Sequence, residues 1–360
     1  MFLERLYLRN FRNYEEITVS FDPKINLIQG ENAQGKTNLL EAIYLLSTGK
    51  SFRANRLSEL VRHGADFFYL EAQFVRDQLR ESLKIHFDGQ SRKMHYNNTA
   101  YPSFNNLLGL MPSVLFAPED VSFISGSPME RRRFLNLHIA QIDPLYVHHL
   151  IRFSQAMRQR NLLLKQENET AIEVWEAMMT LSAAYLVQKR SEAIQDLQIP
   201  LNRQMQLLTK ERDTLEIAYQ PSLFNPKQRK REMAIGATLT GPHRDDLTIQ
   251  ISGKEAKLYS SEGQKRSAIA ALRLAEWERL EKLSQVSPIL SIDDFGVHLD
   301  ANRHSLFQQK LATLGQVFLT SPFPLPLRTH TLKIERGLIT DCIQCESTQD
   351  LRKMTEVSLT

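Results

Sequence analysis

Eight consecutive residues carry the clearest chemistry in the chain. Gly30, Glu31, Asn32, Ala33, Gln34, Gly35, Lys36 and Thr37 satisfy G-x-x-x-x-G-K-[ST] at each fixed position. That spacing lets a glycine-rich turn aim backbone N–H groups at phosphate oxygens. A helix starting behind the turn points the positive end of its dipole the same way. In that arrangement Lys36 reaches the β- and γ-phosphates, and the Thr37 hydroxyl holds Mg²⁺. The flanks agree with this reading. Residues 25–28 form a short apolar run fit for a buried strand, and Leu39, Ile43 and Leu46 fall on one helical face. A nucleoside triphosphate is the expected ligand.

A second apolar run, residues 289–292, ends in Asp293 and Asp294. P-loop ATPases place a strand-terminal carboxylate on the Mg²⁺ shell in this way. Asp293 is then the metal-side acid. Asp294 stands where an acid orients the attacking water, and with Lys36 it makes the catalytic pair. Ser260-Ser261-Glu262-Gly263-Gln264, just before a long helical pattern, resembles the signature sequence of ABC-type ATPases. That resemblance implies that Ser261, Gly263 and Gln264 grip the γ-phosphate of ATP held by an opposite subunit. The same residues also read as a Ser N-cap with a turn glycine.

Further motifs stand in a fixed order around these. They are Asn10-Phe11-Arg12-Asn13-Tyr14, Gly49-Lys50-Ser51-Phe52-Arg53, Phe116-Ala117-Pro118-Glu119-Asp120, Gly126-Ser127-Pro128 with Arg131-Arg132-Arg133, and Gly241-Pro242-His243-Arg244-Asp245-Asp246-Leu247. The whole series resembles the RecF family of bacterial recombination-mediator ATPases, relatives of SMC heads without the coiled coil. The resemblance spans nearly the entire chain. It implies a cytoplasmic, weak ATPase that acts as a switch in DNA repair, replication and the SOS response. ATP joins two heads into a homodimer, the dimer clamps double-stranded DNA near duplex–single-strand junctions, and hydrolysis separates the heads. With RecO and RecR it helps RecA load onto gapped DNA. The sequence departs from the family at Val297-His298-Leu299-Asp300, where a Ser-Glu-Leu-Asp D-loop is usual, and at Lys265, where Gln is usual. No switch histidine follows Leu319-Thr320-Ser321, and no Q-loop glutamine is assignable. The alternative, a transporter's nucleotide-binding subunit, shares the nucleotide motifs but expects that histidine and a membrane-partner surface.

These residues need elements to position them. Alternation at Leu6 and Leu8, then at Ile17, Val19 and Phe21, predicts two strands leading into the phosphate-loop strand. Three more strands are expected at 67–75, 83–87 and 94–96. Helical pattern covers residues 129–199, with Pro200 and residues 219–226 breaking it. The cations between Lys227 and Arg231 read as an exposed loop, and 247–251 with 256–259 as a hairpin. A helix over 263–283, a strand at 316–320, a rigid proline connection at Pro322, Pro324 and Pro326, and a terminal strand near 338–340 follow. The fold class is α/β: a P-loop ATPase head of ABC/SMC type with a β-rich N-terminal portion and an inserted, mainly helical lobe. The expected ATPase lobe is 1–122 with 236–345, the insert is 123–235, and 346–360 is a polar tail. Strand 289–292 is expected beside strand 25–28.

Composition narrows the class without choosing a function. Hydrophobic residues make up 42% and charged residues 24%, which supplies a large core in a soluble chain. A net charge of +4 permits nucleic acid as a partner but does not demand it. Two cysteines, Cys342 and Cys345, are too few for a disulfide framework, and they read as structural. No apolar run reaches the ~18 residues of a membrane span. Among the three arginines 131–133, at least one is expected to face inward or a partner. His243 and Arg244 beside two acids suit either an ion-pair turn or a nucleotide-linked role. Arg53 is a candidate link between ATP and DNA.

Overall fold

The computed structural model describes residues 1–295, 301–325 and 329–344. Two compact units divide the chain: Met1–Asp120 with the segment from Glu276 onward, and Val121–Ala275. The first unit is thus built from both ends of the chain.

Two sheets make up the first unit. Strands β1 (Phe2–Phe11), β2 (Tyr14–Ser20), β4 (Phe68–Arg76), β5 (Leu79–Phe87), β6 (Arg92–Tyr96) and β7 (Thr99–Tyr101) form an antiparallel sheet in the order β2-β1-β4-β5-β6-β7. The β4–β5 turn uses Asp77 and Gln78, both at positive φ, with no glycine to announce it. The second sheet holds β3 (Ile25–Gln29), β8 (Ser113–Phe116), β12 (Ile289–Ile292), β13 (Val317–Ser321), β14 (His330–Glu335) and β15 (Leu338–Gln344). Its order is β15-β14-β3-β13-β12-β8. All neighbours are parallel except the β14–β15 hairpin. Leu27, Leu319, Ile292 and Phe116 lie in register, so the carboxyl ends of four parallel strands line one edge, where α/β sheets bind ligands.

Helix α1 (Lys36–Thr48) is buried on every side: all its residues but Thr37 and Asn38 are buried. Leu39, Ile43 and Leu46 join one core with Leu6, Leu8, Leu70 and Phe74 of the antiparallel sheet and with Ile28 and Phe318 of the parallel one. A helix buried all round needs no polar face, which is why periodicity alone gives only part of its burial. The expected adjacency of strands 25–28 and 289–292 is corrected: β13 lies between them.

The second unit carries α2 (Ser122–Ser125), α3 (Pro128–Ala140), α4 (Pro144–Lys165), α5 (Ile172–Thr209), α6 (Arg229–Ile235), α7 (Ala256–Tyr259) and the start of α8 (Glu262–Ser284), with a small sheet of β9 (Leu215–Gln220), β10 (Asp246–Ile251) and β11 (Lys254–Glu255). Helix α9 (Ala301–Leu311) belongs to the first unit. Pro200 does not end α5: the helix runs through it to Thr209. Leu197, Leu201, Met205 and Leu208 are all buried on one face, and that burial outweighs the local cost of about 3 kcal/mol for an interior proline. Residues 226–235 are a 3₁₀ turn followed by α6, not a loop, since Arg229 pairs with Glu176 at 2.7 Å. Residues 256–259 are a helical turn rather than a second hairpin strand. The segment 236–275 groups with the helical unit, because β10 pairs along β9 and its acids bond to helices of that unit. Among the described residues no helix is long and apolar enough to cross a membrane. The 297–300 segment, Pro326, Cys345 and the 346–360 tail lie outside the described residues.

Candidate nucleotide site

The phosphate loop connects β3 to α1, and its shape is enforced from outside. Gly35 caps α1 at φ 116°. A Cβ there would stand 2.7 Å from Asn13 Nδ2 and 3.0 Å from the Tyr14 hydroxyl, so the position excludes other side chains on two counts. Tyr14, fully buried, donates its hydroxyl to the Gly35 carbonyl at 2.9 Å. Asn13 Nδ2 donates to the Gln34 carbonyl at 3.0 Å, and Asn13 Oδ1 accepts from Asn38 Nδ2 at 2.8 Å. From the other side, the β14–β15 turn donates Gly337 N–H to the Gln34 carbonyl and Arg336 N–H to Gln34 Oε1. Gly30 lies so close to the Ile334 carbonyl that a Cβ would come within 2.4 Å of it. Glu31, Asn32 and Ala33 form the exposed tip, with Ala33 at φ 65°.

The chemistry converges on the strand ends. Lys36, a residue only 5% exposed, donates its ammonium to the Gly30 and Glu31 carbonyls, each at 2.7 Å. Burial lowers its pKa, while Asp294 and Asp293 pull it back up. Asp293 follows β12 and accepts at Oδ1 from Thr37 Oγ1 at 2.9 Å and from Thr320 Oγ1 at 2.7 Å. Thr320 comes from β13, the strand that intervenes, and it also accepts the Asp294 N–H at 2.7 Å. Burial raises the Asp293 pKa; the two threonine hydrogen bonds lower it, and the charges of Asp294 and Glu119 raise it again. Asp294 sits at φ 53°, in the left-handed region that aspartate tolerates better than most side chains.

Sequence reasoning missed several of these roles. The apolar run 316–320 puts Thr320 on a strand without marking it for the site; the hydroxyl closing that run is the available signal. Asn13 and Tyr14 stand in a sequence motif that assigns them no task, and the structure has them brace the loop. Arg12, in the same motif, grips the fully buried Glu41 of α1 through Nε and Nη2, both at 2.7 Å. Ser51 of the 49–53 motif bonds the same carboxylate. Arg53 is exposed and reaches Asn38 Oδ1 at 3.2 Å, one hydrogen bond away from Asn13.

The signature residues open α8 in the second unit. Ser261 N–H donates to Gln264 Oε1 at 3.0 Å, and Gln264 N–H donates to Ser261 Oγ at 3.2 Å, a reciprocal capping box. Gln264 Nε2 also donates to Asp213 at 2.9 Å. Ser261 is exposed, and Gly263 and Gln264 are half-buried. The acids of the 241–247 motif form ion pairs within this unit. Asp245 is buried and pairs with Arg190, which also donates to Tyr146, Asn136 and the Pro242 carbonyl. Arg131 pairs with Asp246 at 2.6 Å, and Arg132 donates to the Asp245 carbonyl. His243 contacts the Thr238 carbonyl at 3.1 Å, its pKa lowered by burial. The two acids therefore bind arginines from helices rather than their own neighbours, His243 and Arg244.

The RecF/RecN/SMC N terminal domain model matches residues 2–323. A curated protein named DNA replication and repair protein RecF, from Protochlamydia amoebophila (strain UWE25), is 45% identical over 341 residues, 90% of this chain and 95% of its own length. The chain belongs to the RecF family. A protein of the same name from Symbiobacterium thermophilum is 35% identical, with 89% of this chain and 91% of its own length covered. The solved structure of a recombination mediator protein RecF with ATP superposes with a TM-score of 0.87 at 30% identity, covering 95% of this chain and 97% of that one. An SMC head from Pyrococcus yayanosii, with a coiled coil and joint, matches at TM-score 0.59 and 15% identity over the full length of both. That last likeness concerns the fold alone: RecF-family chains share the SMC head architecture, as the motif order implied.

Proposed function

We propose that this chain is an ATP-dependent DNA-binding clamp of DNA replication and repair. The observation that carries the reading is the Thr37–Asp293 pair at 2.9 Å, joining the phosphate loop to the end of β12 beside the buried Lys36. The RecF relatives' names and the ATP-bound RecF structure support it. The residues fit Mg²⁺–ATP. Gly35, at a left-handed φ, lets the loop turn with Asn13 and Tyr14 packed against it, and the Thr37 hydroxyl with the Asp293 carboxylate is the small oxygen donor set expected where phosphates supply further ligands. Among the described residues no larger cluster of metal-binding side chains exists. The metal, when bound, neutralises charge developing on the phosphate oxygens.

The chain's own groups divide the remaining work. Lys36 exchanges its loop carbonyls for phosphate oxygens. Thr37 and Asp293 orient the metal, and Thr320 fixes the Asp293 carboxylate. Asp294, held by Thr320 through its N–H, orients the attacking water. Ser261, Gly263 and Gln264 meet the γ-phosphate from a second copy, so ATP closes a homodimer and slow hydrolysis reopens it. The dimer holds duplex DNA and duplex–single-strand junctions in the cytoplasm and acts with RecR and RecO in loading RecA. The transporter alternative has no comparable support.

Sedimentation and duplex-DNA binding, each with and without ATP, test this reading in wild type, Lys36→Ala and Ser261→Arg. ATP should create a dimer that binds DNA, and both substitutions should abolish it. If ATP changes neither mass nor DNA affinity in the wild type, the clamp is wrong.

A further inference from the structure

Gln264, in the first turn of α8, is bonded at three atoms. Its N–H donates to Ser261 Oγ and its Oε1 accepts the Ser261 N–H, both within the turn. Its Nε2 leaves the turn and donates to Asp213 Oδ1 at 2.9 Å. Asp213 stands outside every motif of the sequence, in the connection between α5 and β9. The acid nearest the turn in sequence, Glu262, is exposed and pairs instead with Lys265 at 3.0 Å.

The Asp213 carboxylate is itself fixed in place. Lys210 and Glu211, both at positive φ, turn the chain out of α5. The Asp213 N–H then donates to Thr209 Oγ1 at 3.2 Å, and buried Thr209 donates its hydroxyl to the Met205 carbonyl at 2.8 Å. From the β10–β11 turn, Ser252 donates its hydroxyl to Asp213 Oδ1 at 3.2 Å and its N–H to the Thr214 carbonyl at 2.9 Å. One residue thus joins the end of a 38-residue helix, a hairpin turn and the start of α8, all within the second unit.

A side-chain amide donates at one end and accepts at the other, whereas an ionised carboxylate only accepts. Facing Asp213, Gln264 must present Nε2, and Oε1 is then the atom left for the Ser261 N–H. This orientation leaves the second Nε2 hydrogen of Gln264 to donate. The Ser261 oxygen accepts the Gln264 N–H, so its hydroxyl hydrogen is left to donate as well. Phosphate oxygens are strong acceptors, and they need donors of this kind. An amide released from Asp213 would turn more freely, meeting phosphate with Oε1 in some rotamers and losing rotamer freedom on binding. We propose that Asp213 is a positioning residue for ATP-driven dimerisation: it holds the Gln264 amide so that the signature turn meets the γ-phosphate with donors. This inference rests on the function proposed above, in which that turn meets ATP bound by a second copy.

The test is sedimentation of the full chain with ATP across a series of protein concentrations, giving a dimer dissociation constant for each variant. Asp213→Ala should raise that constant about tenfold, the loss of one hydrogen bond to a charged group. Asp213→Asn keeps an acceptor for Nε2 and should stay within about threefold of wild type. Ser252→Ala, which touches the same carboxylate but not Gln264, should also stay within about threefold. A residue that acts through Gln264 has no effect once Gln264 is gone, so Gln264→Ala and the double variant with Asp213→Ala should dimerise alike. A general loss of structure would instead add to the Gln264→Ala defect. The proposal is overturned if Asp213→Ala dimerises as tightly as wild type, if Asn restores nothing, or if the two alanine effects add in full. Any of these outcomes leaves the wild-type dimer standing, whereas a wild type that stays monomeric with ATP overturns the clamp and this role together.

Discussion

The phosphate loop and the signature turn are both glycine-bearing turns that open a long helix, yet they are built in opposite ways. The loop is held by residues far away in sequence: Asn13 and Tyr14 on one side, Arg336 and Gly337 on the other, Asp293 across the strand ends. The signature turn is held by itself, through the reciprocal Ser261–Gln264 cap, with one further bond to Asp213. Its side chains stand partly or fully in water. A socket braced by the rest of its unit can bind a ligand alone. A self-capped helix end becomes a ligand contact only when phosphate oxygens are presented to it and replace the cap. Within one chain, the two elements should therefore fail independently.

Substitution can break that contrast most forcefully at Lys36. Lys36→Ala removes a cation whose charge-assisted bonds are worth about 3 kcal/mol, so nucleotide affinity of the isolated chain should fall about a hundredfold in a fluorescent-nucleotide titration. Ser261→Arg should leave that affinity unchanged and remove only dimerisation. Equal losses in both variants would mean that a single head already uses its own signature residues.

The glycines sharpen the contrast at smaller cost. Gly35→Ala combines a left-handed φ with a 2.7 Å approach to Asn13, and it should destabilise the chain by about 1–3 kcal/mol, with a lower melting temperature and weaker nucleotide binding. Gly263, in the first turn of α8, is not among the positive-φ glycines. Gly263→Ala should stabilise by about 0.5–1 kcal/mol while impairing ATP-driven dimerisation. Opposite signs in calorimetry, with both variants defective in function, would confirm that one glycine serves the fold and the other serves a contact.

The contrast also explains what the sequence made legible. Strands β3, β12 and β13, helix α1 and helix α8 follow from apolar runs and caps, and Lys36, Thr37 and Asp293 do converge as their motifs required. Spacing could not tell that β13 lies between β3 and β12, because strand order in a parallel sheet is set by crossover connections rather than by the strands' own residues. Thr320 stayed hidden for the same reason: its task depends on which strand is next door. Pro200 misled because a local rule lost to the buried face of Leu197, Leu201 and Met205. The two acids beside His243 and Arg244 do form ion pairs, but with distant partners: Arg131, from the triplet expected to turn an arginine inward, and Arg190, which no local pattern marks.

The smallest expected effect is a pH dependence at Asp293. Its folded pKa is raised above 3.8, chiefly by burial, so the folded chain holds this proton more tightly than the unfolded chain does. The stabilisation that follows is complete below the ordinary carboxylate range and is lost as pH rises through the raised value. At neutral pH the charged carboxylate therefore costs stability, even with Thr37 and Thr320 bonded to it. Asp293→Asn should raise the unfolding temperature at pH 7, and the advantage should fade as pH falls through the raised value and be gone below the ordinary carboxylate range. Adding Mg²⁺–ATP should reverse the order, because ligand binding stabilises only the protein that binds it well. A wild type that melts above Asp293→Asn at neutral pH without nucleotide would show that the two hydroxyl bonds already outweigh burial. The corner would then be settled before any ligand arrives, and the contrast with the signature turn would be greater still.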